Sequence, residues 1–139
     1  MALIIQKYGG TSVGSTKRIK HVAARIAQFK KQGHQVVVVV SAMSGQTDKL
    51  LSLAKEIQDP PNPRELDVVL STGEQVTIGL LSLALTKLGI AAKSYTGWQI
   101  PLYTDPIYSK ARIQTIEPIR IQQDLGRGLV AVCLLYTSD

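Results

Sequence analysis

The stretch "QVVVVVSAMSG", residues 35–45, decides the fold. Five consecutive valines leave no polar position to face water, so the run reads as a strand covered on both faces. It ends in small residues and a glycine, which predicts a tight exit into a loop. The neighbouring sequence supplies the covering layers. "LIIQKY" (3–8) is a short β-branched strand bounded by Gly9 and Gly10. From Thr16 to Lys31, Ile19, Val22, Ala23, Ile26 and Ala27 recur at helical spacing, with Gly33 as a stop.

Beyond the valines, Leu50, Leu51, Leu53, Ala54 and Ile57 mark a second helix, broken by "DPPNP". Asn62-Pro63-Arg64-Glu65 then offers a cap, a proline at the first helical position and a nearby glutamate. Helical periodicity runs on to Leu88, read as interrupted at "STGE" (71–74), and Gly89 closes it. "IAAKSYTG" is a third strand, "ARIQTI" a fourth, Glu117–Leu125 a short helix and "LVAVCLLY" a last strand. "GWQIPLYTDPIYSK" (97–110) is the least periodic segment and reads as a loop or lid. Alternating strands and helices predict an α/β domain with a mainly parallel sheet.

Composition sets the outer bounds. A chain of 139 residues, 45% apolar and 19% charged, is globular in character and long enough for one core. Its longest apolar runs are too short to span a bilayer, and the N-terminus lacks a signal peptide's basic region. The single cysteine, Cys133, forbids an internal disulfide and fits a reducing cytosol. No His/Cys spacing suggests structural zinc. The net charge of +6 is uneven: residues 1–47 hold seven Lys/Arg and no Asp or Glu. A basic third suits nucleic acid or a nucleotide, but without aromatic interleaving it reads better as the solvated face of the first helix. Lys7 is the exception, since it lies inside an apolar strand.

In a parallel sheet, ligands bind beyond the carboxyl ends of the strands. There the sequence places "GGTSVGS", "SAMSGQT" and "TGWQ". The first two are rich in glycine and hydroxyls and run into helices, an arrangement that presents backbone N–H groups and a positive dipole end to phosphate. Gly9 and Gly14 have Walker A separation, yet Ser15 and Thr16 follow where its lysine belongs; Lys7 brings a positive charge from the strand side instead. On pattern alone, a glycine turn without ligand stands equally well, and Glu74 reads as a surface glutamate at a helix start.

Three segments taken together change that balance. "KYGGTSVGS" (7–15), "VVVVSAMSGQTD" (37–48) and "LSTGEQVTIGLLSLAL" (70–85) resemble, in order, signature blocks of the aspartate kinase branch of the amino acid kinase family. The resemblance covers Leu3 to about Val132 and implies a three-layer αβα sandwich. It implies ATP-dependent phosphorylation of the side-chain carboxylate of L-aspartate to 4-phospho-L-aspartate, with magnesium on the ATP phosphates. That reaction opens lysine, threonine and methionine synthesis. By position, Lys7 is implied as the lysine that neutralises the transferring phosphoryl group. Tyr8, Gly9, Gly10 and Ser41 are implied as ATP contacts, and Thr47 and Glu74 as the aspartate pair, Glu74 facing the ammonium. No protein base is needed, because a carboxylate is already a nucleophile at neutral pH. A cytoplasmic homo-oligomer, with no nucleic-acid or membrane partner, is the expected setting.

Residues 1–132 are read as the N-terminal part of such a catalytic domain. "CLLYTSD" (133–139) is read as a tail that resembles translated sequencing adapter. The family's later blocks, which complete the substrate site and hold adenine, do not follow. The last strand is therefore expected as an exposed apolar edge, and these residues alone are expected not to turn over. The alternatives are a glutamate, acetylglutamate or nucleoside-monophosphate kinase of the same family, or a non-catalytic basic domain binding nucleic acid or another anion.

Overall fold

In the computed structural model the valine run forms β2 (Gln35–Val40), with Val36 to Val40 all buried. The structure describes residues 2–95, 102–104, 113–116 and 119–134. Before β2 come β1 (Leu3–Tyr8) and α1 (Thr16–Lys31); after it come α2 (Gln46–Ile57), α3 (Pro63–Lys87) and β3 (Ala92–Tyr95). Next are β4 (Leu102–Thr104), β5 (Ile113–Ile116), α4 (Ile119–Gly126) and β6 (Val130–Leu134).

Four strands form one parallel sheet in the order β1-β2-β6-β3. Because side chains alternate across a strand, β2 feeds two cores. Val36, Val38 and Val40 pack with Ile19, Val22 and Ile26 of α1 and Ile78, Leu81 and Leu85 of α3. Val37 and Val39 pack on the other side with Ile121 and Leu125 of α4, Tyr95, Ala131 and Cys133. The result is a layered α/β fold with helices on both sheet faces.

Local chemistry explains the helix starts. Ser15 caps α1, its hydroxyl accepting from the Arg18 N–H at 3.2 Å. Asn62 caps α3, its side-chain oxygen accepting from the N–H groups of Arg64 and Glu65, with Pro63 at the first helical position. On the α4 side of the sheet, Tyr95 donates its hydroxyl to the buried Asp124 carboxylate, with Lys93 Nζ 3.6 Å from the same oxygen. This ties β3 to α4.

Four expectations change. The helix read as broken at "STGE" is continuous over 25 residues. Its small polar residues do not break it, because Ser71 and Thr72 donate their hydroxyls to the Val68 and Val69 carbonyls. The last strand is no edge: β6 lies between β2 and β3, and its five residues are buried. The exposed apolar strand is β1, whose Leu3 and Ile5 lie on the α4 side of the sheet and are about half exposed. Within the segment read as a loop or lid, Leu102–Thr104 is a strand pairing antiparallel with β5 in a separate two-stranded sheet. The rest of 97–110 lies outside the described residues. Finally, α2 buries none of its residues, and Ile57 is 89% exposed.

Candidate active site

The two glycine loops sit side by side because β1 and β2 are parallel neighbours, with Tyr8 beside Val40. Hydrogen bonds join them: the Ser41 N–H donates to the Tyr8 carbonyl at 3.2 Å, and the Ser44 N–H to the Gly10 carbonyl at 3.1 Å. Gly10 is required at this crossing, since a Cβ there would lie 2.9 Å from the Ala42 carbonyl oxygen. Gly9 differs, because a Cβ there would meet nothing within 4 Å. Its bareness serves open space above the loop, not packing within it. Among the described residues, the N–H groups of Gly9, Gly10 and Thr11 meet no protein acceptor. Val13 anchors the same loop, fully buried beneath it.

The second loop enters α2 through Gly45, whose φ of +88° is the left-handed region that favours glycine. With glycine at the cap position, no side chain covers the first N–H groups of α2, and Thr47 stands exposed in that first turn. Ser41 is half-buried where β2 ends.

Glu74 reaches this edge from α3. The glycine before it lets two elements close up: a Cβ at Gly73 would be 3.1 Å from the Ala42 side chain and 3.4 Å from Leu50. Glu74 therefore sits one residue from the contact between α3 and the second loop. It lies on the helix's inward side, three, four and seven residues before Thr77, Ile78 and Leu81. Desolvation by burial pushes its carboxyl up to about 7. Among the described residues no cation pairs with it. It is a half-buried carboxylate without a counter-ion, not a residue at a helix start.

Lys7 lies beside Val39 in the register, so its exposed side chain leaves the sheet on the α4 side. α3 packs on the opposite side. Lys7 and Glu74 thus flank the carboxyl edge from opposite faces, with the paired loops between them. No hydrogen bond joins Lys7 or Thr47 to the other candidate residues.

Sequence reasoning set aside the basic residues beside the first loop. A groove of about 640 Å³ is lined by Tyr8, Ser12, Ser15, Arg18, His21 and Arg25 among others. Arg18, His21 and Arg25 recur at helical spacing, a signal present in the sequence but absorbed into a solvated face. Burial pushes the Tyr8 phenol up, and the nearby Arg25 charge opposes that shift. Gly73 permits the close approach that a glycine beside Glu74 suggests, and the structure supplies its partners, Ala42 and Leu50. Among the described residues, no three His, Cys, Asp or Glu side chains gather to hold a metal ion.

An aspartate kinase from Stutzerimonas stutzeri is 56% identical over 132 residues, which is 95% of this chain and 32% of that protein. The crystal structure of aspartate kinase from Synechocystis matches with a TM-score of 0.79 at 46% identity, over 94% of this chain and 21% of that one. Escherichia coli aspartokinase III in complex with aspartate and ADP shares the fold, with a TM-score of 0.73 at 17% identity, over 96% of this chain and 40% of that one. The chain spans about a third of the length of the curated relatives it matches. The family description "amino acid kinase family" matches residues 2–134, from the first strand through the last, and on that match the chain belongs to the amino acid kinase family.

Proposed function

We propose that this chain is the N-terminal part of the catalytic domain of an aspartate kinase, which transfers the γ-phosphoryl group of ATP to the side-chain carboxylate of L-aspartate. The reading is supported most by one observation: two hydrogen-bonded glycine loops at the carboxyl edge of a parallel sheet, with a lysine on one flank and, on the other, a half-buried glutamate that no cation pairs with among the described residues.

Each residue then has a role that its chemistry suits. The N–H groups of Gly9 and Gly10, with Tyr8 and Ser41 beside them, hold the ATP phosphates. Lys7 neutralises charge on the phosphoryl group in flight, which is where phosphoryl transfer gains most from a cation. Thr47 and Glu74 hold aspartate, and the substrate ammonium supplies the counter-charge that Glu74 lacks. The aspartate carboxylate attacks the γ-phosphorus, the bond from phosphorus to the ADP oxygen breaks, and no proton has to move. Magnesium, when bound, would offset the charge of the ATP phosphates.

The reading carries a cytoplasmic homo-oligomer feeding lysine, threonine and methionine synthesis. It also holds that residues 1–132 do not turn over alone. The test is ADP release with L-aspartate, L-glutamate, N-acetylglutamate or UMP as acceptor, on this chain and on one carried to the length of its relatives. Release stimulated by aspartate alone, in the longer chain alone, is expected. Stimulation by another acceptor, or salt-sensitive nucleic-acid binding with no ATP dependence, would replace the reading.

A further inference from the structure

The groove beside the first glycine loop carries positive charge that no carboxylate among the described residues balances. Its volume of about 640 Å³ is that of a small-molecule site. Arg18, His21 and Arg25 of α1 line it with Ser12, Ser15 and Tyr8, and Lys17 and Lys20 stand beside them. Residues 1–47 contain no Asp or Glu, and the ion pair seen among the described residues, Lys93 with Asp124, joins β3 to α4. A solvated helix face would be basic too, but three features make this one a site. Arg18, His21 and Arg25 recur at i, i+3 and i+7, so they form one line along α1. That line is about 10 Å long from Arg18 to Arg25, at the rise of an α-helix. Second, the groove offers donors. The Tyr8 hydroxyl is spent on Gln6 Oε1 at 3.0 Å, the Ser15 oxygen accepts from the Arg18 N–H and keeps its own hydrogen, and the Ser12 hydroxyl has no protein partner among the described residues. Third, the Arg25 charge is felt at the Tyr8 phenol, which packs against the core. A charge beside such a desolvated wall acts more strongly than one in open water.

We propose that this groove binds a chain of linked phosphates, with Arg18 and Arg25 forked onto its oxygens and Ser12 and Ser15 donating beside them. A phosphate chain accepts hydrogen bonds and donates none, which matches the donors that line the groove. Guanidinium groups suit it because they meet phosphate oxygens in pairs. The spacing along α1 suits a chain, since a single phosphate engages one guanidinium and linked phosphates engage both. Inorganic polyphosphate and the tail of a nucleotide share this chemistry. The groove is separate from the cradle proposed for the transferred phosphoryl group. Tyr8 sits beside Val40, whose side of the sheet faces α1, whereas Lys7 sits beside Val39 and leaves on the α4 side. The inference therefore does not rest on phosphoryl transfer to aspartate.

The experiment is titration calorimetry on the chain as it stands, with inorganic tripolyphosphate at fixed low ionic strength. Arg18 and Arg25 are exposed, so Arg18→Gln and Arg25→Gln keep the fold, and each should weaken binding by at least ~10-fold. Lys30→Gln with Lys31→Gln removes two charges from the last turn of the same helix, outside the groove, and should change affinity by no more than ~2-fold. Lys7→Ala should stay within the same margin. Tripolyphosphate should bind more tightly than pyrophosphate, and pyrophosphate more tightly than phosphate. It should also raise the Tm of the parent but not of the variant lacking both arginines. ATP and GTP then identify the source. A nucleotide that binds more tightly than tripolyphosphate and still loses affinity in Arg25→Gln supports the proposal with a nucleotide tail as ligand; equal affinity supports it with the phosphate chain alone. An equal loss in the Lys30 and Lys31 variant shows a diffuse basic surface and overturns the proposal. So does a loss confined to Lys7→Ala, phosphate bound as tightly as tripolyphosphate, or no binding. Groove binding without aspartate-dependent kinase activity in a chain of the relatives' length would count against the functional reading and leave this one standing.

Discussion

Gly9 and Gly10 are adjacent and chemically identical, yet substitution should separate their roles. At Gly10 an added methyl would lie 2.9 Å from the Ala42 carbonyl oxygen and 3.4 Å from the Ser44 nitrogen, both backbone atoms. Normal contact needs the loops to part by about half an ångström, which strains the Ser44 N–H to Gly10 carbonyl bond. Overpacking of this kind costs about 1–3 kcal/mol. For a chain of this size that is a fall in Tm of roughly 3–12 °C. At Gly9 the methyl meets nothing, so Gly9→Ala should leave Tm within about 2 °C of the parent, an effect near ±0.5 kcal/mol. Its cost falls on the ligand, because the methyl occupies the space above the N–H groups proposed to hold phosphate. Thermal melting of this chain, and ATP titration calorimetry on a chain of its relatives' length, read the two effects. Gly9→Ala should weaken ATP binding by at least ~10-fold, about 1.4 kcal/mol. A Gly10→Ala protein as stable as the parent refutes the packing argument, and normal ATP affinity in Gly9→Ala refutes the cradle.

Three further outcomes follow from the same geometry. In the longer chain, Lys7→Ala should lower kcat by at least ~100-fold with little change in aspartate KM, since its charge acts in the transition state; steady-state kinetics decide, and a near-normal kcat would return Lys7 to an ordinary strand residue. Glu74→Gln should raise aspartate KM but not ATP KM, by about 2–4 kcal/mol if a desolvated charge pair is lost. The same residue sets a pH dependence: a carboxyl raised from 4.5 to about 7 binds its proton more tightly when folded. Stability without substrate should therefore fall as pH rises through that window, and Glu74→Gln should flatten the curve in urea titrations. Tyr95→Phe removes the donor to buried Asp124 and should cost about 1.5–3 kcal/mol of stability without altering substrate KM; an unchanged melt would make that bond incidental.

Much of this fold was legible where local pattern and tertiary demand agree. The valine run could satisfy itself only with cover on both faces, and the inward set of α1 comprises the five residues whose spacing announced it. The cap at Asn62 was readable because capping is local chemistry. The interruption at "STGE" was misread for the opposite reason. A glycine costs a helix interior about 1 kcal/mol relative to alanine, so Gly73 weakens the helical pattern there. Its compensation is the close contact with Ala42 and Leu50, which belong to other elements. Strand order was equally hidden, since sequence adjacency does not say which neighbour β6 inserts between. "LVAVC" is nonetheless as unbroken as the valines, the pattern of a central strand. In the candidate site, the glycine loops and Lys7 could be named from spacing and resemblance. That Glu74 faces inward could not, because it depends on where α3 crosses the second loop.

An acyl phosphate formed on aspartate at this site, as proposed, can be trapped as it is made. Hydroxylamine converts an acyl phosphate to a hydroxamate with release of phosphate, so the longer chain is incubated with ATP, magnesium, L-aspartate and hydroxylamine, and the hydroxamate identified by mass. Aspartate β-hydroxamate that requires ATP and disappears in Lys7→Ala is the predicted result. ATP consumption without it, or an equal yield of the glutamate hydroxamate when glutamate replaces aspartate, would contradict the account.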